Sequence, residues 1–425
     1  MKTLIDNARL WDGAQAVEAA CIHVDGAFIT YAGPRADAPR FSADVTIDAR
    51  GGIALPGLVN AHTHLPMTMV RGVGTDLPLM DWLHMIWPLE DKLTPDMMRL
   101  GTQMSALEAL RTGTTCFADA YMMSDVIART VDEAGMRLNV CRMMTGDVTP
   151  EKLAEQKALF EEFNGAGDGR IRVYIGLHAE YTSEERLARE LAGLAARLGT
   201  GLHVHVSETR SEVEECRARR GGRSPVEYLC DVGAFDVPAL AAHCVWVDDN
   251  DIDILAAKRV TAVHNPVSNL KLASGIAPVE RMCARGVNVA LGTDGASSNN
   301  SMDMFEELKL AAILQKGATY SATAMPATRA LQISSQNGAR ALGYGDVGLL
   351  RPGYRADIAL LGVDNPAHTA ARDIPGALVY ATSGADVRMT MVDGQVLYMD
   401  GEFKTLDQER IRAEYAAAVD ALLGK

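Results

Sequence analysis

Residues 55–66 read LPGLVNAHTHLP, an apolar run that ends in two histidines, His62 and His64. In an extended strand, residues i and i+2 point to the same face. At roughly 3.3 Å rise per residue their backbones stand about 6 to 7 Å apart, close enough for two imidazoles to lean onto one metal ion. The spacing alone is weak evidence. Ten histidines in 425 residues produce such pairs by chance, and hydrogen-bonded core histidines are the plainer explanation. Pro56-Gly57 before the pair and the polar loop after it favour a strand that ends at a site.

Outward from this stretch, the chain carries eight short apolar runs: 53–60, 114–119, 137–144, 171–178, 201–206, 239–244, 259–264 and 287–293. Helical stretches separate them. Ser224, Pro225 and Glu227 supply an N-cap, a first-turn proline and a capping-box glutamate, and residues 302–314 are amphipathic at the helical period. Successive strand–helix units predict an α/β fold, a (β/α)8 barrel of the TIM type over 55–346. An open doubly wound sheet is the competing architecture, but no GxGxxG follows the first strand. Residues 1–54 and 347–403 alternate apolar and polar and carry Asp-Gly pairs at 12–13, 25–26, 393–394 and 400–401, the chemistry of hairpins. The two ends are expected to pair into one small β-sandwich. The stretch 404–425, rich in Ala, Leu, Glu and Arg, is expected to form a C-terminal helix.

With 48% hydrophobic and 23% charged residues the composition is that of a soluble globular protein. The net charge of −14 repels nucleic acid and anionic membranes, so neither is an expected partner. Seven cysteines without a CxxC suit reduced, mostly buried thiols of a cytoplasmic protein, not a disulfide framework or a cysteine zinc site. The start, MKTLIDNARLWDG, interrupts its apolar residues with Asp6, Asn7 and Arg9 and is not a signal peptide. No apolar run reaches membrane-spanning length.

Barrels of this kind hold their chemistry at the C-terminal ends of the strands. His62 and His64 end run one, and His178 ends run four. His203, His205 and Glu208 end run five, followed by His243 in run six, His264 in run seven and Asp294 in run eight. Scattered core histidines would not gather this way, which favours the metal. His205 is read as a third ligand, and His203, deeper in its strand, as structural. Asp294 could cap a following helix, but it is placed to complete the shell. Three neutral imidazoles, one carboxylate and a water suit Zn2+ or Fe2+ alike. Glu208 is the carboxylate that proton shuttling needs; the plainer alternative is a solvated loop residue, since Glu212, Glu214 and Glu215 follow. His243 would face the same water as a donor to a developing oxyanion, or else be a satisfied core histidine. His264 opens HNPVSN, which could be a structural turn capped by Asn265 and Ser268.

Together, LPGLVNAHTHLP, HVSET, AAHC, HNPVSNLKLASGIAPV and LGTDGASSNN resemble the amidohydrolase superfamily, and within it the deaminases of 5′-methylthioadenosine, S-adenosylhomocysteine and 5′-deoxyadenosine. The likeness spans nearly the whole chain. The motif after run seven is highly specific, whereas HxH is not. The resemblance implies hydrolytic deamination of adenine nucleosides, adenosine included, to inosine-type products and ammonia. It implies one divalent metal per subunit, Zn2+ ahead of Fe2+, held by His62, His64, His205 and Asp294. It implies Glu208 as proton shuttle in touch with the substrate, and His243 as hydrogen-bond partner of the attacking water, with Asp294 sharing in catalysis. It implies that His178 contacts the nucleoside, Glu90 the ribose, Trp82 the 5′ substituent and Arg142 the far end of the substrate. A small-molecule nucleoside is the implied partner, and relatives suggest a homo-oligomer.

Two features depart from the family. Relatives that accept S-adenosylhomocysteine use a second arginine shortly after the first, where this chain reads TGDVTPEKLAEQ. Glu180 stands where the family has proline. The rival substrates are guanine, a pterin or an s-triazine, processed by the same metal shell; Glu90 discriminates, since a flat base offers it no diol. A two-metal amidohydrolase needs a carbamylated lysine at the end of strand four, where His178 and Glu180 stand instead. A non-enzymatic barrel scaffold would have lost ligand positions that are all filled here.

Overall fold

Eight parallel strands pair in sequence order to form the barrel wall. The computed structural model describes residues 1–368 and 372–424; residues 369–371 of the expected end segment and Lys425 of the expected helix lie outside the described residues. The barrel strands are Leu58–Thr63, Thr114–Tyr121, Arg137–Met144, the interrupted pair Ile171–Val173 and Ile175–Leu177, Leu202–Val206, Ala239–His243, Thr261–His264 and Asn288–Leu291. The ladders between neighbours are all parallel. The eighth strand meets the first through isolated bonds. Asp294 N–H donates to His62 O at 3.0 Å, Thr293 N–H to Asn60 Oδ1 at 3.0 Å, and Asn60 Nδ2 to Thr293 Oγ1 at 2.7 Å. This seam, not a ladder, nearly closes the barrel, and two of its residues are the expected ligands His62 and Asp294.

Helices cover the barrel through an aliphatic layer in which Leu138, Val140, Leu202 and Val204 meet Leu159 and Leu191. Local sequence sets where the helices begin. Ser224 and Glu227 form the expected reciprocal capping box ahead of Pro225–Asp231. Asp303 caps Met304–Thr319 by accepting from Phe305 N–H. The C-terminal helix, Gln408–Leu423, starts at the cap Asp407 and sends Tyr415 Oη to the carbonyl of Thr68 at 2.6 Å. Among the described residues no helix is long and apolar enough to cross a membrane.

The chain ends share a nine-stranded mixed sheet around a second core that includes Ile5, Leu10, Ile22, Leu350, Ile358 and Met389. The two ends join where Ile358, Ala359 and Leu360 run antiparallel to Pro56, Leu55 and Ala54. Asp393 and Gly394, at φ 48° and 73°, make the positive-φ pair of a two-residue hairpin. A Cβ on Gly394 would lie 2.0 Å from the carbonyl of Gly26, so only glycine fits there. The first apolar run, 53–60, proves to be two strands: Ile53–Pro56 joins the end sheet and Leu58–Thr63 the barrel. The break falls at Gly57, where a Cβ would stand 2.2 Å from Thr115 Cγ2.

A buried ion cluster ties the two sheets together. Arg137 begins the third barrel strand and is wholly buried. It donates to Asp357 through Nε at 2.5 Å and Nη2 at 3.0 Å, and its Nη2 also reaches Asp393, which Arg355 approaches at 2.9 Å. Removing one member of such a cluster leaves a buried charge without a partner, at a cost of about 3–5 kcal/mol. Arg137→Met should therefore lower the denaturation midpoint sharply, and adding Asp357→Leu should recover much of the loss, as read by circular dichroism during denaturant titration.

Candidate active site

Residues at the ends of the first, fifth, sixth and eighth strands converge at the C-terminal mouth of the barrel. One ligand atom from each of His62, His64 and His205 lies within 4.8 Å of the others, and the same holds for His62, His243 and Asp294. Zn–N bonds of about 2.0–2.1 Å need ligand atoms ~3.4 Å apart, so a small contraction brings these groups onto one ion.

Each imidazole is aimed by a bond at its other nitrogen. His64 Nδ1 lies 2.5 Å from the carbonyl of Ala120, and His205 Nδ1 lies 2.7 Å from the carbonyl of His178. A carbonyl only accepts, so Nδ1 carries the proton in both rings and Nε2 offers its lone pair inward. His62 Nδ1 meets His203 Nε2 at 2.9 Å, so His203, expected to be structural, is the group that orients a ligand. His62 Nε2 is buried and makes no hydrogen bond. A buried nitrogen facing three other donor groups is what a metal would satisfy. Burial pushes His62 down to about 4 and His205 well below the usual histidine range, so both are neutral and ready to ligate.

Asp294 sits at φ 62°. Its Oδ2 accepts from Ser268 Oγ at 2.7 Å and from Ser298 Oγ at 2.8 Å, leaving Oδ1 to face His64 Nε2 at 3.1 Å and His62 Nε2 at 3.4 Å. Burial alone would raise its pKa, but the two imidazoles outweigh burial and hold it well below the usual carboxylate range. HNPVSN is thus more than a turn: Ser268 aims Asp294, and Asn269 Oδ1 lies 2.9 Å from His243 Nδ1. That contact places the proton of His243 on Nδ1 and leaves Nε2 as an acceptor. His264 is buried, and neither of its ring nitrogens has a partner.

Glu208 is not solvated. It is buried, with Oε2 at 3.8 Å from His243 Nε2 and Oε1 accepting from Ser274 Oγ at 3.4 Å, and burial raises its pKa. Its turn is held by Glu212, also buried, whose carboxylate accepts from the N–H groups of Ser207 at 2.9 Å and Glu208 at 2.6 Å. Thr209 and Glu212 form a capping box on Arg210–Arg219, legible in the sequence as T-x-x-E. Ser207, His243, Cys244 and Asp294 all have positive φ, the strained backbone that strand ends adopt when they re-aim side chains into a site.

A cavity of about 520 Å³ opens above these groups, within the usual range for ligand sites. Glu90, His178 and Trp82 all line it. Glu90 Oε1 accepts from Tyr121 Oη at 2.5 Å, a partner with no sequence signal, and burial raises the Glu90 pKa. His178 Nδ1 meets Thr182 Oγ1 at 2.9 Å. Arg142, the expected contact for the substrate's far end, is not among the residues that line the cavity, and its Nε pairs with Glu155 at 3.1 Å. Its neighbour Met143 lines the cavity instead.

Glu180 acquires a definite place. It is 2% exposed and accepts from Arg219 at 2.7 Å and Arg220 at 2.8 Å. These arginines close the helix whose start holds Glu208. The clamp fixes the loop that presents Tyr181 and Thr182 to the cavity.

With this geometry in view, residues 53–397 match the model of the amidohydrolase family. The chain belongs to that family. It is a hydrolase of C–N bonds in a family whose members depend on metal. The chain is 46% identical over 389 residues to a 5-methylthioadenosine/S-adenosylhomocysteine deaminase of Moorella thermoacetica, covering 90% of this chain and 91% of that one. It is 46% identical over 388 residues to a 5′-deoxyadenosine deaminase of Methanothermobacter thermautotrophicus, covering 90% of each. Among solved structures, an adenosine deaminase from Xanthomonas campestris with bound zinc superposes with a TM-score of 0.94 at 33% identity, covering 100% of this chain and 99% of that one. The overall fold is therefore shared with that structure along the whole chain.

Two outcomes follow. Metal analysis of the purified chain should find about one divalent ion per chain, and His205→Ala should lower metal affinity at least ~10-fold. Glu180→Gln weakens a charge-assisted pair; it should raise KM roughly ten-fold while kcat stays within about three-fold, as steady-state kinetics will read.

Proposed function

We propose that the chain is a zinc-dependent deaminase of adenine nucleosides, converting 5′-methylthioadenosine, 5′-deoxyadenosine and adenosine to inosine-type products and ammonia. One observation carries the reading: His62 belongs to two donor trios, one with His64 and His205 and one with His243 and Asp294, beside Glu208 and under a cavity that carries a half-buried carboxylate, Glu90, for a diol. The relatives named for such substrates and the zinc-bound neighbour support it. The donor set of three imidazoles and one carboxylate fits Zn2+. The same reading makes the chain a cytoplasmic homo-oligomer, supported by its free cysteines and by exposed Met80, Met85 and Trp87 on one helix.

A bound divalent ion supplies a water whose pKa falls from 15.7 to about 7. Glu208 takes the proton from that water as it attacks C6 of the purine, and passes a proton to N1. That transfer is what makes an aromatic amidine carbon electrophilic. Its raised pKa suits a group that must both accept and release a proton. His243 Nε2 accepts a hydrogen bond from the water and so sets its direction. The carbon then carries both a hydroxyl and the amino group; Glu208 takes the hydroxyl proton and delivers it to the amino nitrogen, the C6–N bond breaks, and ammonia leaves as the C6 carbonyl forms. Glu90, with one oxygen held by Tyr121, accepts from the ribose hydroxyls. His178, pushed by burial to about 4, stays neutral, its Nδ1 engaged by Thr182 and its other nitrogen turned to the ligand.

Ammonia release should be seen with the adenine nucleosides and not with free adenine or guanine, which would leave Glu90 without donors at a cost of about 1–3 kcal/mol. Glu208→Gln should keep its metal and lose roughly 10²–10⁴ in kcat. Equal turnover of the free bases, or a fully active Glu208→Gln, would overturn the reading.

A further inference from the structure

The cavity has an unbalanced charge. Glu90, Asp91, Glu208 and Asp294 line it, and among the described residues no lysine or arginine does. Glu208 and Asp294 lie on the floor with the imidazoles, where a divalent ion offsets them. The other two belong to the opposite wall. That wall is the helix Leu79–Glu90 with the residue after it, and it presents Leu79, Trp82, Leu83 and Trp87 beside Glu90 and Asp91. A nucleoside with its C6 on the floor turns the substituent at its 5′ end toward this wall.

Two cations stand behind the rim, and both are engaged. Lys152 Nζ donates to the carbonyls of Thr145 and Asp147, each at 2.7 Å. One helical turn further, Glu155 holds Arg142. An anionic tail would therefore meet aromatic and aliphatic side chains and two carboxylates among the residues that line this wall. A neutral tail would lose nothing there, and an ammonium tail would gain a carboxylate and indole faces.

Resting on the nucleoside reading above, we propose that this cavity selects adenine nucleosides with an uncharged or cationic 5′ tail and rejects those whose tail carries a carboxylate or phosphate. The wall of residues 79–91 acts as the selector. Four substrates of one series test it on the metal-loaded enzyme by ammonia release: 5′-methylthioadenosine, its aminopropylthio analogue, S-adenosylhomocysteine and adenosine 5′-monophosphate. The aminopropylthio compound and S-adenosylhomocysteine differ in the tail carboxylate and one carbon's substitution, so length alone does not separate them. The expected kcat/KM for S-adenosylhomocysteine is at least ten-fold below that of the aminopropylthio compound, and that of the monophosphate at least a hundred-fold below methylthioadenosine. Both ratios should shrink as salt rises toward 0.5 M, because screening weakens charge repulsion. Comparable rates for all four would overturn the selection while leaving the deaminase reading intact. Ratios that salt does not move would overturn its electrostatic basis. Failure of all four, methylthioadenosine included, would overturn both readings.

Discussion

Three histidines can share one point only if each is made to turn the same nitrogen inward. A free imidazole chooses between two tautomers of similar energy, and the wrong choice presents a proton where a lone pair is needed. Here the choice is made from behind. Main-chain carbonyls of Ala120 and His178 take the Nδ1 protons of His64 and His205, and His203 backs His62. Carbonyls at strand ends are fixed by the ladders below them, so the barrel itself sets the tautomers. Asp294 obeys the same logic, since two serine hydroxyls occupy one carboxylate oxygen and leave the other to the centre.

The acid–base pair depends on a second arrangement of this kind. Glu208 must be buried enough for its carboxyl to take up a proton, yet its turn has backbone N–H groups that need partners. Glu212 meets those groups from the first turn of the next helix. A buried carboxylate thus supports a second buried carboxylate, and burial pushes Glu212 up to about 7. The far end of that helix carries Arg219 and Arg220, which grip Glu180 on the neighbouring loop. One short helix joins the proton shuttle to the substrate wall.

Much of this was legible in the sequence, because period and position are local signals. Apolar runs with polar residues at their ends announced the barrel, and the same rule gathered His62, His64, His205, His243 and Asp294 before any geometry. The capping box at Ser224 and the Asp-Gly hairpins were equally local. What escaped depends on direction and on distant partners. Arg142 pairs with Glu155 on the following helix, a contact that residue type does not announce. Tyr121, Ser268 and Asn269 act through bonds to residues far along the chain, and nothing beside them in sequence marks that role. Glu212 and Glu208 looked alike as loop acids, although T-x-x-E distinguished Glu212 as a cap. The break at Gly57 was hidden because both strands that meet there are apolar.

The shared end sheet has a consequence for synthesis. Strand Ile53–Pro56 pairs on one side with the N-terminal strand Lys2–Trp11 and on the other with Ile358–Leu361. About 300 residues separate that second pair. At roughly 5–20 residues per second, translation delivers the partner tens of seconds after the N-terminal edge has left the ribosome. Through that interval the edge is unpaired, and Arg137 also waits for Asp357 and Asp393. The barrel grows from neighbouring strand–helix units, but the molecule is sealed last by the chain's final quarter. A nascent chain held short of that point would expose a β-edge ready to pair with another copy.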